Sequence, residues 1–112
     1  TTVTKLQVGA LPKDGLSGVS NYPNPFDSRK GGTKFNYTLS ADSDVTIKIF
    51  NLFGGKVAEF KAAAGGAGGQ AGSNDLPWDG TDSAGRRVAK GMYLAVIEAG
   101  GAKVVHKVGV IH

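Results

Sequence analysis

Trp78-Asp79-Gly80-Thr81-Asp82-Ser83-Ala84-Gly85-Arg86-Arg87-Val88-Ala89-Lys90-Gly91-Met92-Tyr93 is the stretch whose reading decides the fold. Trp78 is the only tryptophan of the 112 residues, and burying its indole offers the largest single apolar contribution in the chain. Asp79-Gly80 and Ala84-Gly85 read as turns, because glycine reaches positive φ without steric cost and aspartate bonds nearby backbone. After Gly91, the run Met92-Tyr93-Leu94-Ala95-Val96-Ile97 reads as a strand. It is apolar on both faces, which predicts a central position or cover by a neighbour. The unit is strand, loop, strand, pinned by Trp78 and Tyr93, and it reads as scaffold rather than chemistry.

Working outward, the same signals recur. Phe35, Tyr37 and Leu39 alternate with Lys34, Asn36 and Thr38, and Val45, Ile47 and Ile49 alternate with Thr46 and Lys48. Period two over such lengths predicts half-buried strands. Lys56 to Phe60 returns as a short strand carrying Val57, and Asp75 to Trp78 is a short edge strand because Pro77 has no N–H to give a ladder. Lys103 to Ile111 closes the chain, with Val104, His106, Val108 and Val110 on one face. Earlier, Val19-Ser20-Asn21-Tyr22-Pro23-Asn24-Pro25-Phe26 holds two prolines, so it is an edge strand or a kinked crossing between sheets. Tyr22 and Phe26 are expected to pin that kink to the core. The pattern of about seven short strands separated by turn signals predicts an all-β antiparallel sandwich. Its expected core is Tyr22, Phe26, Phe35, Tyr37, Leu39, Val45, Ile47, Ile49, Val57, Trp78, Val88 and Tyr93.

Composition bounds the function. A chain of this length is one domain's worth, read as a linker or extra edge strand over 1–18 and a sandwich over 19–112. It has no cysteine, which excludes disulfides and thiolate metal sites. The formal charge of +4 is the excess of 13 basic over 9 acidic residues, and the basic ones are scattered rather than clustered with aromatics, so no nucleic-acid partner is expected. No stretch is long enough to span a bilayer as a helix. The opening Thr1-Thr2-Val3 lacks a signal-peptide pattern and reads as a mature product or an excised piece. The stretch from Ala62 to Asn74, AAAGGAGGQAGSN, lacks the lysine and hydroxyl of a phosphate loop and reads as a flexible surface loop.

Candidate chemistry is sparse. His106 and His112 are the only imidazoles; neither has a nucleophile context around it, so no catalytic residue and no cofactor are assigned. Asp79 and Asp82 are the candidates for calcium, but their spacing is wrong and no glutamate follows, so turn capping accounts for them. Phe50, Phe53 and Phe60 could present a carbohydrate platform. Val3, Leu6 and Val8 form a strand-like segment able to add to a neighbour's sheet edge. With Phe50, Phe53 and Lys107 they make up the candidate contact surface.

Three blocks carry a resemblance: Asn21-Tyr22-Pro23-Asn24-Pro25-Phe26, then Val45-x-Ile47-x-Ile49-x-Asn51-Leu52-x-Gly54-x-x-Val57, then Trp78-Asp79-Gly80-x-Asp82-x-x-Gly85-x-x-Val88-x-x-Gly91-x-Tyr93. In this order, over residues 19–111, the chain resembles the Ig-like domain named after the flagellar hook-capping protein. It is also similar to the C-terminal sorting domains of the type IX secretion system, and Lys107 to His112 resembles their final strand. The resemblance implies a non-catalytic Ig-like module of a larger secreted or surface-attached bacterial protein, acting as a sorting or anchoring domain. Its partners would be export or surface-attachment machinery. The alternatives are a structural assembly module that pairs sheet edges with neighbouring protein subunits, and a carbohydrate-binding module. The Gly-rich insertion and residues 1–18 depart from the family pattern.

Overall fold

Alternation of apolar and polar side chains sets seven strands in the computed structural model, which describes residues 16–111. They are β1 (Leu16–Tyr22), β2 (Thr33–Leu39), β3 (Val45–Phe50), β4 (Lys56–Ala62), β5 (Gly72–Trp78), β6 (Gly91–Ala99) and β7 (Ala102–Val110). Val3, Leu6, Val8 and His112 lie outside the described residues. β1 starts at Leu16 and so runs across the boundary expected between residues 18 and 19.

The strands form two sheets, ordered β1-β2-β5 and β4-β3-β6-β7, with every strand pairing antiparallel. This is an Ig-like β-sandwich. β6 lies between β3 and β7, which is why it is apolar on both faces. Phe35, Tyr37 and Leu39 from one sheet and Val45, Ile47, Ile49, Ala95 and Ile97 from the other fill the space between. Trp78 closes one end. Its ring meets Phe26 edge-on at 5.4 Å and Tyr93 at 6.2 Å between centroids, the geometry aromatic quadrupoles favour. Val57 and Val88 are only partly buried and pack against the rim of this core.

Tyr22 does not join the core. It is 79% exposed, and register is the reason. Asn21 stands opposite the inward Phe35 and Tyr22 opposite the outward Lys34, so the pleat sends Tyr22 to solvent. Phe60 is also displaced from its expected place. It faces Ile47 across β3–β4 and packs partly buried against the core, so it cannot share an exposed platform with Phe50 and Phe53.

The Gly-rich segment, expected as a flexible surface loop, is tied to its surroundings by hydrogen bonds. Tyr37 donates its hydroxyl to the Gly68 carbonyl at 2.6 Å; burial, then the charge of Asp75, pushes that phenol up to about 12. Asp44 accepts from the Ala64 amide and Asp42 from the Ala71 amide, at 2.9 and 2.8 Å. Asn74 accepts from the Gln70 amide and donates back to its carbonyl. Glycine is needed for close approach: a Cβ on Gly69 would stand 2.2 Å from the Ala63 carbonyl oxygen and 2.7 Å from that of Ser43. These bonds carry the chain directly into β5, which therefore begins at Gly72, earlier than its sequence suggests.

Unfolding free energies of three variants check this account. Trp78→Ala should lower the unfolding free energy by about 3–5 kcal/mol in a denaturant titration, the cost of deleting a large buried aromatic. Gly69→Ala should cost about 1–3 kcal/mol, as overpacking does. Gly66→Ala, whose Cβ would meet its nearest neighbour at 3.4 Å, should change stability far less. Equal, negligible effects at both glycines would restore the flexible-loop reading.

Candidate functional site

The residues between β1 and β2 form a clamp that joins the two sheets. Pro23 and Pro25 follow cis peptide bonds, and the chain passes from the three-stranded sheet to the outer edge of β7. There the Phe26 amide donates to the Gly109 carbonyl and accepts, through its own carbonyl, the Ile111 amide, both at 2.9 Å. The Asn24 side-chain amide extends this short ladder: its Nδ2 donates to the Lys107 carbonyl at 3.2 Å, and its Oδ1 accepts the Gly109 amide at 2.9 Å. One side chain thus does what a strand's peptide group would do at a sheet edge. Gly109 is required here because a Cβ would stand 2.9 Å from that of Pro25.

Beneath the clamp runs a polar chain. Asn21 Nδ2 donates to Thr33 Oγ1 at 3.0 Å, and Thr33 Oγ1 donates to the Pro23 carbonyl at 2.9 Å. With the amide oriented by that bond, Asn21 Oδ1 is an acceptor, and His106 Nε2 donates to it at 2.6 Å. Burial pulls the His106 imidazole below its ordinary 6.5. His106 is thereby a structural tie between β7 and β1. Asn21 and Asn24 stand in the first block that carries the family resemblance but were given no structural role from the sequence, and Thr33 was not singled out.

The two calcium candidates both cap turns. Asp79 Oδ1 accepts from the Thr81 amide at 3.0 Å and its hydroxyl at 2.6 Å. Asp82 Oδ1 accepts from the amides of Ala84 and Arg86 at 2.9 and 3.0 Å. Both carboxyls are held below their ordinary value, Asp79 chiefly by the Thr81 hydroxyl and Asp82 chiefly by the Arg86 amide. The loop they shape also serves the fold: Trp78 Nε1 donates to the Thr81 carbonyl at 2.9 Å, and the Ser83 amide caps Val57 of edge strand β4 at 3.0 Å.

The contact-surface candidates are dispersed. Phe50 is half-buried on the outer face of β3, and Lys107 is exposed on β7. Phe53 is 98% exposed on a turn that Asn51 fixes by accepting the amides of Phe53 and Gly55 at 2.9 and 3.0 Å. Leu52 and Met92 are exposed beside it around a shallow hollow of about 330 Å³. A second hollow, of about 400 Å³, is lined by Tyr22, Pro23, Lys30, Lys34 and Pro77 with Gly31 and Gly32; apart from Tyr22, sequence reasoning passed over it.

The His106 tie makes stability depend on pH. Its folded value lies below its unfolded value, so the unfolded chain binds the extra proton between the two. Stability should be full above about pH 6.5 and fall as pH drops through the folded value. The lowered carboxyls Glu59, Asp79 and Asp82 act in a separate window, near and below their ordinary values of 4.5 and 3.8. Denaturant midpoints between pH 7 and 5 should slope downward with acid in the native chain and lie nearly flat in His106→Gln. Asn24→Ala should cost about 1–2 kcal/mol for its two edge bonds.

No curated protein sequence matches the chain. Among solved structures, it is similar to PorZ, described as an essential bacterial surface component of the type-IX secretion system of human oral-microbiomic Porphyromonas gingivalis. That likeness has 21% identity and a TM-score of 0.58, covering 85% of this chain and 12% of PorZ. It is also similar to dimeric latent PorU from Porphyromonas gingivalis, at 20% identity and a TM-score of 0.66, over 96% of this chain and 10% of PorU. The chain therefore spans only about a tenth of each neighbour's length, and likeness at this identity speaks to the fold. The sequence model described as the FlgD Ig-like domain matches residues 24–103, from the clamp asparagine into β7, and on that match the chain belongs to the FlgD Ig-like domain family.

Proposed function

We propose that this domain is a non-catalytic module of a larger secreted or surface-attached bacterial protein, serving as its sorting or anchoring domain in type IX export. The observation that carries the reading is the recurrence of this fold as a small part of PorZ, described as a surface component of that system, and of PorU from the same organism. The construction of the domain supports it. Trp78, Phe26, Phe35 and Tyr37 fill the interior, and the polar groups of the clamp are spent on each other. Recognition then falls to the outside, where Asn51 holds Phe53 in solvent at small entropic cost. The partner is a protein of the export or attachment machinery, and the location is the cell surface or the medium.

A second reading, edge pairing with neighbouring subunits, has its own support. Phe26 and Asn24 occupy the edge of β7, and Ser83 caps part of β4. β5 has β2 on one side, and its other edge has no strand partner among the described residues. Such an edge can receive an added strand.

Fusing residues 1–112 to a periplasm-tolerant reporter in a type IX-competent host tests the first reading. The reporter should reach the surface or medium, and Phe53→Ala should reduce its export while leaving the isolated domain's unfolding midpoint unchanged. Retention of the unmutated fusion inside the cell would overturn the sorting role. For the second reading, light scattering should show mass rising with concentration; a constant monomer mass would remove it.

A further inference from the structure

We infer that the outer face of the three-stranded sheet binds an acidic carbohydrate, a pyranose bearing a carboxylate, at Tyr22, Lys34 and Pro77 with Lys30 and Pro23 at its margin. This goes beyond the sorting role and rests on a different surface. Tyr22, Lys34 and Pro77 are direct partners across β1, β2 and β5, so their side chains leave the sheet on the same face. Pro23 and the Gly31-Gly32 corner complete a shallow, open hollow of about 400 Å³.

The lining selects the ligand. An aromatic ring left 79% exposed beside two proline rings offers a flat apolar surface of the kind that receives the C–H face of a sugar ring. Lys30 and Lys34 reach the same hollow, and neither has a carboxylate partner within 4.0 Å among the described residues. Arg29, Lys56, Lys61, Arg86 and Lys103 do; Lys48, Arg87, Lys90 and Lys107 also have none among the described residues but lie outside the hollow. Asp75 shares the face but stands opposite Asn36, one row away from Lys34. Two ammonium groups without a carboxylate partner among the described residues, beside an apolar platform, complement a ligand that is flat, partly apolar and negative, and charge-assisted bonds would fix its carboxylate.

Affinity electrophoresis of the full chain tests the inference, in gels carrying polygalacturonate, dextran or poly-glutamate. Polygalacturonate alone should retard the protein. Tyr22→Ala and Lys34→Ala should each weaken that retardation by about tenfold in affinity, as loss of a stacking or charged contact predicts. Lys90→Ala, matched in charge and remote from the face, should leave it unchanged, and Tyr22→Trp should preserve it. Each variant's thermal midpoint, expected to match the native chain because the altered side chains are exposed, separates lost binding from lost fold. The inference is overturned by absence of retardation, by retardation that survives Tyr22→Ala, by equal retardation in dextran, or by equal retardation in poly-glutamate. The last would mark an acidic polypeptide or bulk charge attraction instead.

Discussion

A three-stranded sheet is narrower than the four-stranded sheet it must cover, and the contact made by Phe26 resolves that mismatch. Its ring goes inward against Trp78 while its peptide groups pair with β7. One residue therefore belongs to the core and to the edge of the far sheet at once. Asn24 lengthens the edge seal by one more peptide equivalent, and Gly109 leaves room for Pro25. The hairpin of residues 79–88 depends on the same cluster, because Trp78 holds the Thr81 carbonyl and Gly80 passes so close that a Cβ would lie 2.6 Å from Ser28. Edge, core and loop are one construction.

Magnitudes assign the parts different duties. A neutral hydrogen bond contributes roughly 0.5–1.5 kcal/mol net, whereas a buried aromatic truncated to alanine costs about 3–5 kcal/mol. The aromatic cluster therefore supplies most of the stability at that end. The clamp's polar bonds choose the register and leave fewer open peptide groups on β7. The five ion pairs among the described residues each have at least one well-exposed partner, and surface pairs are worth roughly 0–1 kcal/mol. They shape the surface field more than they hold the fold.

What the sequence made legible was whatever depends on local alternation. Phe35-Tyr37-Leu39 and Val45-Ile47-Ile49 announce their inward faces because nothing interrupts the period. Tyr22 was hidden because its phase is set by pairing with β2 across the sheet, while two prolines erase the alternation after it. The inward place there goes to Asn21, a polar residue that is satisfied only once Thr33 and His106 arrive from elsewhere in the chain. The Gly-rich loop was hidden for a related reason. Its composition matches a flexible linker, and its hydrogen bonds come from Tyr37, Asp42 and Asp44, which lie 31, 29 and 20 residues upstream of their partners. Asp79 and Asp82 were legible as turn caps because each bonds backbone only two to four residues ahead.

The register also orients the domain. Leu16 pairs with Leu39, which pairs with Gly72, whereas Tyr22 pairs with Lys34, which pairs with Pro77. The chain thus enters the sandwich beside the Gly-rich loop and runs toward the clamp. On the other sheet, Phe50 pairs with Leu94, which brings the Phe53 turn to the clamp end beside Tyr93. Both outward-facing features, the Tyr22 hollow and the Phe53 turn, therefore lie at the end away from Leu16, on opposite sheets. The filled core stands between the two surfaces, so a substitution on one leaves the packing beneath the other unchanged.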